Sequence, residues 1–316
     1  MNIGGLLGAL IPVFFVLALG FFAGKRNAFD ADQSAGLSKL ALNFALPASL
    51  FVSMTEIRKD LLLQQGRLVL ALIIAHPVLF LAAWLVLRLV KSLRGTASLI
   101  FALAIATSAT PVFGFAVLRP LLGETAGGAV GLVALTINLT VPLAVVLLEM
   151  DAAGKRKDAA GSSAQNPILT GLRAGLKSPL LWGPILGITI TLTGHHLAMP
   201  VEACFDLIGS ATSGVAVFAV GLVLAANPVR MSVGVLVGSL ARVSVQSALF
   251  FALLHLLHVV SPFARETLVC CSFPLATVVV LFAARYKAAE SEAASMLLIS
   301  TLLLAVTVPL MMWLSS

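Results

Sequence analysis

The sequence is poor in charged residues, which make up only 10% of its 316 positions, against 60% hydrophobic ones. A soluble domain usually carries about 25% charged residues. The net charge of +7 does not indicate a nucleic-acid-binding protein, because the basic residues are scattered between long apolar runs. The composition therefore excludes an ordinary soluble protein and predicts a chain that crosses a membrane many times.

Signatures of several other functional classes are also missing. The three cysteines, Cys204, Cys270 and Cys271, form no disulfide framework and no metal pattern. The sequence has no GxxxxGK[ST] loop to hold the phosphates of ATP, no pair of aspartates within a span as in sodium/proton antiporters, and no nucleophile constellation. We therefore expect no ATP-driven pump, no enzyme, no metal site and no cofactor.

Ten apolar runs are long enough to cross the hydrocarbon core of a bilayer, which takes about 20 residues. The first run, Ile3 to Ala23, has no positive residue before it and no small-residue cleavage site, so it is predicted to be a span and not a removable signal. The predicted spans, numbered 1 to 10, cover about residues 4–24, 36–54, 66–90, 96–122, 125–149, 179–194, 199–226, 231–258, 262–286 and 291–314.

A polar segment, DAAGKRKDAAGSSAQN at 151–166, separates five spans from five. We predict a first five-helix repeat over 1–150, a cytoplasmic linker over 151–178 and a second five-helix repeat over 179–316. A unit with an odd number of spans is inserted upside down when it is repeated, and inverted repeats are a common plan of transporters. The predicted fold is therefore an all-α polytopic membrane protein of ten transmembrane helices in two inverted repeats. Lysine and arginine concentrate in the loops on one side, which predicts that both termini lie outside the cytoplasm.

Prolines interrupt spans 4 and 9. Span 4 contains ATSATPVFGFAVLRPLLG with Pro111 near its middle, and span 9 contains CCSFPLATVVVLFAARY with Pro274. Proline lacks an amide hydrogen and clashes with the carbonyl four residues back, so each helix is predicted to break there and to cross the other break. In hydrocarbon such a break is tolerated only where protein or a watery cavity surrounds it. Two broken helices in matching halves indicate the binding site of a transporter.

Each break exposes amides at the start of one half-helix, which attract anions, and carbonyls at the end of the other, which attract cations. Two breaks face to face could bind a small carboxylate with few charged side chains. The alternative is that the prolines only kink two packed helices, but their matching positions and the flanking hydroxyls favour a site. The predicted substrate-binding residues are Thr107, Ser108, Thr110, Pro111, Val112, Phe113 and Gly114 in span 4 and Ser272, Phe273, Pro274, Leu275, Ala276 and Thr277 in span 9.

Three polar residues in other spans are further candidates for substrate binding. Arg242 lies deep in span 8 with Gln246 one turn on, and could be the counter-charge of a dianion. Alternatively, it could snorkel to an interface or pair with Asp206. Asn43 could reach the site or satisfy the backbone that the next proline frees, and Asn138 in span 5 could face the crossing.

Five other polar residues receive weaker roles. His76, His255 and His258 lie toward span ends without partners at ligand spacing, so they predict no metal site. Arg119 and Arg285 follow the two prolines and could guide anions at the cavity mouths, although a topology signal is the simpler interpretation.

The order of these motifs resembles the auxin efflux carrier family. The resemblance covers nearly the whole chain. It rests on NFALPASLF in span 2, ATPVFGFAVLRPLLG in span 4 and the breaks in the fourth and ninth of ten spans. Two details resemble its bacterial malonate-carrier branch. Span 7 reads ATSGVAVFAVGLVLA, with Gly214 where many members have proline, and Thr110 precedes Pro111 where plant exporters have asparagine.

The resemblance implies a fold of the bile-acid-transporter and sodium/proton-antiporter type. Spans 1, 2, 6 and 7 would form a scaffold through which a homodimer assembles, and spans 3–5 and 8–10 would form a moving transport domain. Substrate would bind at the crossing of spans 4 and 9, and an elevator motion would carry it across the bacterial inner membrane, with both termini periplasmic.

We therefore predict a secondary transporter of a small organic anion, malonate first and other short dicarboxylates next. Uptake of a dianion against an inside-negative potential costs about 2.3 kcal/mol per charge per 100 mV. Uptake thus requires a coupling ion, Na⁺ or H⁺. The alternatives are an exporter of a monoanionic carboxylate, and a membrane receptor or interaction subunit that binds without transport. The expected partners are the anion and membrane lipids, with no nucleic acid.

Overall fold

The structure, a computed structural model, describes residues 3–55, 59–60, 66–90, 93–110, 118, 127–160, 169, 176–177, 179–195, 197–226, 229–259 and 263–314. Within these residues the chain is helical, and its extended pairing is limited to one isolated β-bridge. The helices are α1 (Ile3–Lys25), α2 (Ala31–Leu40), α3 (Leu46–Thr55), α4 (Gly66–Leu87), α5 (Thr96–Ala106), α6 (Gly127–Ala160), α7 (Pro179–Thr193), α8 (Met199–Gly209), α9 (Ala211–Ala226), α10 (Val233–Leu256), α11 (Phe263–Cys271), α12 (Thr277–Tyr286) and α13 (Glu290–Leu314), with a π-helical turn, Ala41–Ala45, between α2 and α3.

Five helical segments in the described residues are long and apolar enough to cross a membrane. Shorter apolar helices fall within the predicted spans 1, 4 and 9. The all-helical membrane class is therefore confirmed, while the ten spans and their inverted repeat stay a prediction. The five long segments are Gly66–Leu87, Leu132–Lys155, Met199–Ala226, Val233–Leu256 and Glu290–Leu314.

The fifth span is longer than its apolar run. Helix α6 continues past the predicted end at residue 149 to Ala160, so the predicted linker begins as helix. Asp151 and Lys155, four residues apart on α6, form an ion pair at 3.0 Å. Both also bond the Thr96 hydroxyl at the start of α5, at 2.5 Å each. These polar contacts extend the helix where hydropathy alone predicts its end.

Glycines let two pairs of helices approach closely. A Cβ on Gly20 of α1 would lie 2.2 Å from the Phe218 carbonyl oxygen, and one on Gly221 of α9 would lie 2.4 Å from the Leu17 carbonyl oxygen. Gly187 of α7 is similarly close to the backbone of span 2. Small residues permit this approach, which increases van der Waals contact between membrane helices. The glycine-rich span 7 therefore packs against span 1 of the same chain.

Helix contacts fall largely into two sets. Helices of spans 1, 2, 6 and 7 (α1, α2, α3, α7, α8 and α9) contact one another, and so do α4–α6 and α10–α13. The sets meet where α9 contacts α12 and α13, where α3 and α7 contact α6, and where α2 contacts α12. The predicted scaffold and transport domain group the helices as these two sets do, and the division into domains stays a prediction.

Candidate functional site

The helix of span 9 is broken around its proline. Helix α11 ends at Cys271, residues 272–276 are non-helical, and α12 begins at Thr277. The segment is buried throughout, and Ser272, Phe273 and Leu275 have no exposed surface. A non-helical segment inside a membrane protein therefore has protein around it, as hydrocarbon requires.

The helix of span 4 ends before its proline. Helix α5 stops at Ala106, and Thr107 is extended, with φ −122° and ψ 135°. Thr107 is four residues before Pro111 and carries the carbonyl with which a helical proline ring would clash. The sequence predicts the break at Pro111 itself. In the structure the break starts one turn earlier, because the proline ring would clash with the Thr107 carbonyl of a continuous helix. The candidates Pro111, Val112, Phe113 and Gly114 lie outside the described residues.

The two breaks meet and pair. An antiparallel β-bridge joins Ser108 to Leu275. Two extended segments that cross in this way satisfy part of the backbone that the broken helices leave unpaired. The bridge hydrogen bonds run from the Ala109 amide to the Pro274 carbonyl (2.8 Å) and from the Ala276 amide to the Thr107 carbonyl (3.3 Å).

Two of the amides predicted to hold an anion already have partners. The Ala276 amide belongs to the bridge, and the Leu275 amide donates to the Ser300 hydroxyl at 3.3 Å. An anion at the crossing would have to compete with these acceptors. Other donors at the crossing are therefore better placed to bind it.

Hydroxyl groups at the crossing divide into two kinds. Ser108 Oγ and Thr110 Oγ1 lie 2.6 Å apart, both fully buried, and Thr110 donates to the Cys270 carbonyl of α11 at 3.2 Å. The Thr107 and Ser272 hydroxyls instead donate to carbonyls of their own helices, at 2.6 and 2.7 Å. Thr277, half-buried, begins α12. Ser108 and Thr110 therefore form a hydroxyl pair between the two broken spans.

Arg242 lies at the carbonyl end of α11. It is fully buried, and its Nη2 donates to the carbonyls of Phe273 at 2.8 Å and Cys271 at 3.3 Å. A cation at a helix C-terminus interacts favourably with the helix dipole. The alternative that it snorkels to an interface or pairs with Asp206 is wrong, because the guanidinium is inside the protein while Asp206 is exposed.

His76 has a partner that its sequence position did not indicate. It is fully buried in α4, and Nδ1 lies 3.1 Å from the Leu72 carbonyl, so Nδ1 donates and Nε2 accepts. Gln246 Nε2, 3.2 Å away, donates to Nε2, and Gln246 Oε1 accepts from Arg242 Nη1. His76 is considered in the sequence analysis only as a metal ligand, and this hydrogen bond to Gln246 lies outside that expectation. A polar chain instead links α4 through α10 to the break in span 9.

Comparison with known proteins identifies the class of this chain. Residues 6–312 match the family model described as "Membrane transport protein". The chain belongs to that family. This confirms the resemblance to the auxin efflux carriers, and the family is one of membrane transporters.

Two relatives align with this transporter over nearly their full lengths. The "Uncharacterized transporter YfdV" of Escherichia coli (strain K12) is 28% identical over 313 residues, covering 98% of this chain and 97% of that protein. The "Putative malonate transporter" of Rhizobium meliloti (strain 1021) is 24% identical over 320 residues, covering 95% and 93%.

A cavity of about 810 Å³ opens between α1, α2 and α9 and the end of α12 of the transporter. Asn43, half-buried in the π-helical turn, lies on its wall, and π-helical turns are frequent at functional sites. Arg285 also lies on the wall, where it bonds Glu149 at 3.3 Å. The side chain of Asn138, on α6, is outside the described part of the chain. The structure therefore places Asn43 on a cavity wall, apart from the hydrogen bonds of the crossing.

Glu266 is a buried acid that the sequence analysis missed. It lies in the first turn of α11, is 1% exposed, and neither of its carboxylate oxygens has a hydrogen-bond partner among the residues described. A single glutamate near a span end does not match the pattern of paired aspartates in mid-span that marks sodium/proton antiporters. In the described region the cysteines are unpaired, Cys204 exposed and Cys270 and Cys271 buried, and no His, Cys, Asp and Glu cluster could hold a metal ion.

Proposed function

We propose that this transporter carries a small organic anion, malonate or a related short dicarboxylate, which binds where spans 4 and 9 cross. The observation that carries the proposal is the buried crossing itself, where Ser108 pairs with Leu275 beside a fully buried guanidinium. A membrane protein rarely buries a cation without a partner or a function. The relative named a putative malonate transporter supports malonate, as does Thr110 in place of asparagine.

Three polar groups at the crossing suit a dicarboxylate. The hydroxyls of Ser108 and Thr110 can donate to one carboxylate if Ser108 gives up its bond to Thr110 and Thr110 gives up its bond to the Cys270 carbonyl. Arg242 Nε is buried and has no hydrogen-bond partner within the described ranges. A buried donor without a partner costs about 1–3 kcal/mol, which a second carboxylate would recover. The amides that follow Pro111 complete the proposed site.

An elevator motion is the proposed mechanism. The 810 Å³ cavity lies where helices of the proposed scaffold face the second half-helix of span 9. Its wall carries four basic side chains against two acidic ones, Asp30 and Glu290, and this excess of positive charge would attract an anion. If both termini are periplasmic, this cavity opens to the cytoplasm and the arrangement is inward-open. The basic wall residues are Lys25, Lys39, Arg285 and Lys287.

Location and assembly belong to the same proposal. The charge bias of the loops supports the bacterial inner membrane with both termini periplasmic. The resemblance to the family supports a homodimer assembled through the scaffold helices, with no cofactor. A coupling ion, Na⁺ or H⁺, is needed for uptake of a dianion against the potential.

Counterflow in proteoliposomes tests the transport reaction. Purified protein is reconstituted into vesicles loaded with unlabelled malonate and diluted into a trace of labelled malonate. Transient accumulation of label above the level in protein-free vesicles is expected, and excess unlabelled dicarboxylates should suppress it. Malonate that binds but never exchanges would instead support a receptor. Exchange of monocarboxylates without malonate would support the monoanion exporter.

A further inference from the structure

The carboxylate of Glu266 has no role in the binding site proposed above, yet it is buried inside the proposed transport domain. It is 1% exposed, and its oxygens lack hydrogen-bond partners among the described residues. An ionised carboxylate with so little exposure is unfavourable unless a cation joins it, although the start of α11 offsets part of this cost. In membrane proteins, a buried ionisable residue of this kind commonly marks an ion or proton pathway.

None of the described charged groups on α11 or on the helices packed against it forms a hydrogen bond with Glu266. Helix α11 packs against α6, α10 and α13. Arg265, the preceding residue on α11, has a buried Nε without a hydrogen-bond partner among the described residues, but it points about 100° away from Glu266 around the helix, since a turn holds 3.6 residues. Cys270 and Cys271, also on α11, are buried thiols. On α10, Arg242 donates to the carbonyls of Cys271 and Phe273, and His255 is exposed. On α6, Glu149 pairs with Arg285 and Asp151 pairs with Lys155. On α13, Glu292 pairs with Arg230, and Glu290 lies in the first turn.

The carbonyls at the break of span 9 are less favourable for Na⁺ than free carbonyls would be. A sodium ion would be attracted to the carbonyl end of α11. Five consecutive carbonyls there, those of residues 270–274, already accept a hydrogen bond, and one donor is a guanidinium that repels a cation. The donors are Thr110 for Cys270, Arg242 for Cys271 and Phe273, Thr307 for Ser272, and the Ala109 amide for Pro274.

Building on the proposed transport function, we propose that Glu266 binds and releases the proton that drives anion uptake. The proton enters from water on the outer side, travels with the transport domain on Glu266, and leaves to water on the inner side. It cancels one negative charge of the complex that crosses the membrane. Glu266 lies one helical turn before Cys270, whose carbonyl accepts a hydrogen bond from Thr110. Protonation of Glu266 can therefore alter the contacts at the crossing.

The experiment compares wild type with Glu266→Gln in proteoliposomes by two measurements. One is malonate counterflow at equal pH, and the other is malonate accumulation driven by an inward pH gradient with the potential clamped. A gradient of one pH unit drives about tenfold accumulation for each coupled proton. Glu266→Gln should keep counterflow and lose this accumulation. The matched control, Glu202→Gln in the first turn of α8, should keep both.

Each remaining outcome decides between explanations. Accumulation by Glu266→Gln under a pH gradient overturns the proposal, as does accumulation by wild type that follows a sodium gradient and ignores pH. If Glu266→Gln also loses counterflow, Glu266→Asp decides, because Asp still titrates. Gradient-driven accumulation retained by Glu266→Asp with a shifted pH profile supports the proposal, and its loss overturns it. Absence of counterflow in wild type refutes the transport function itself, and the two failures are thus distinguishable.

Discussion

At the scale of single residues, the Ser108 hydroxyl is the group whose removal most directly tests the anion site. Ser108→Ala deletes one of the paired hydroxyls at the crossing. A hydrogen bond to a charged group contributes about 1.5–3 kcal/mol, so malonate affinity should fall by about tenfold or more. Isothermal titration of the purified protein measures this affinity.

A second buried serine serves as the control for Ser108. Ser239, in α10, donates to the Val235 carbonyl of its own helix at 2.8 Å and is also fully buried. Ser239→Ala should therefore leave malonate affinity close to that of wild type. Equal effects of the two substitutions would contradict a role for Ser108 in binding.

Arg242 has a structural role and a proposed binding role that substitution can separate. Arg242→Gln removes the hydrogen bonds that the guanidinium donates to the carbonyls of Cys271 and Phe273, and a hydrogen bond to a charged group contributes about 1.5–3 kcal/mol. The melting temperature in detergent should therefore fall. Affinity for dicarboxylates should fall more than affinity for monocarboxylates, because only a dianion uses Nε.

The shift in melting temperature that ligand produces reports this difference, since binding to the folded state raises apparent stability. Mono- and dicarboxylates are compared at matched concentrations for wild type and Arg242→Gln. A lower melting temperature with an unchanged ratio between the two ligand classes would assign Arg242 a structural role alone.

At the scale of elements, the two prolines are predicted to keep the crossing open. Pro111→Ala together with Pro274→Ala restores two amide donors and removes two ring clashes, so helix becomes more favourable at both breaks. Malonate binding should be lost, as measured by the absence of a malonate-induced thermal shift. Pro309→Ala is the control, because Pro309 lies inside the unbroken helix α13 and its removal should leave binding intact. Unchanged malonate affinity in the double variant would contradict a site at the crossing.

The two helix breaks of the site could be predicted from local chemistry. The contacts that join the site to other helices could not. Proline chemistry accounts for a break around Pro274 and for one that begins four residues before Pro111. The β-bridge between Ser108 and Leu275 and the chain from His76 through Gln246 to Arg242 depend on partners far apart in sequence. No local pattern encodes such pairs, so the sequence of α4 alone gives no indication that His76 bonds Gln246.

At the scale of the whole molecule, hydropathy predicts the membrane class correctly but places the end of helix α6 too early. Apolar runs locate the long helices because a bilayer sets their length. Hydropathy could not predict that α6 continues to Ala160, since this depends on Asp151 and Lys155 meeting Thr96 of another helix. The two sets of helices likewise follow from which helices contact, and such contacts leave little trace in composition.

The orientation of the whole molecule can be tested with cysteines on opposite sides. Cys204 is the exposed native cysteine of the described chain, so Cys204→Ser gives a background in which Cys270 and Cys271 are buried. Ala31→Cys on the cavity wall should then react with an impermeant maleimide only in inside-out vesicles. His195→Cys, at an exposed position between spans 6 and 7, should react only in right-side-out vesicles. The opposite pattern would place the basic cavity on the periplasmic face, and a cavity open to that side would make the described arrangement outward-open.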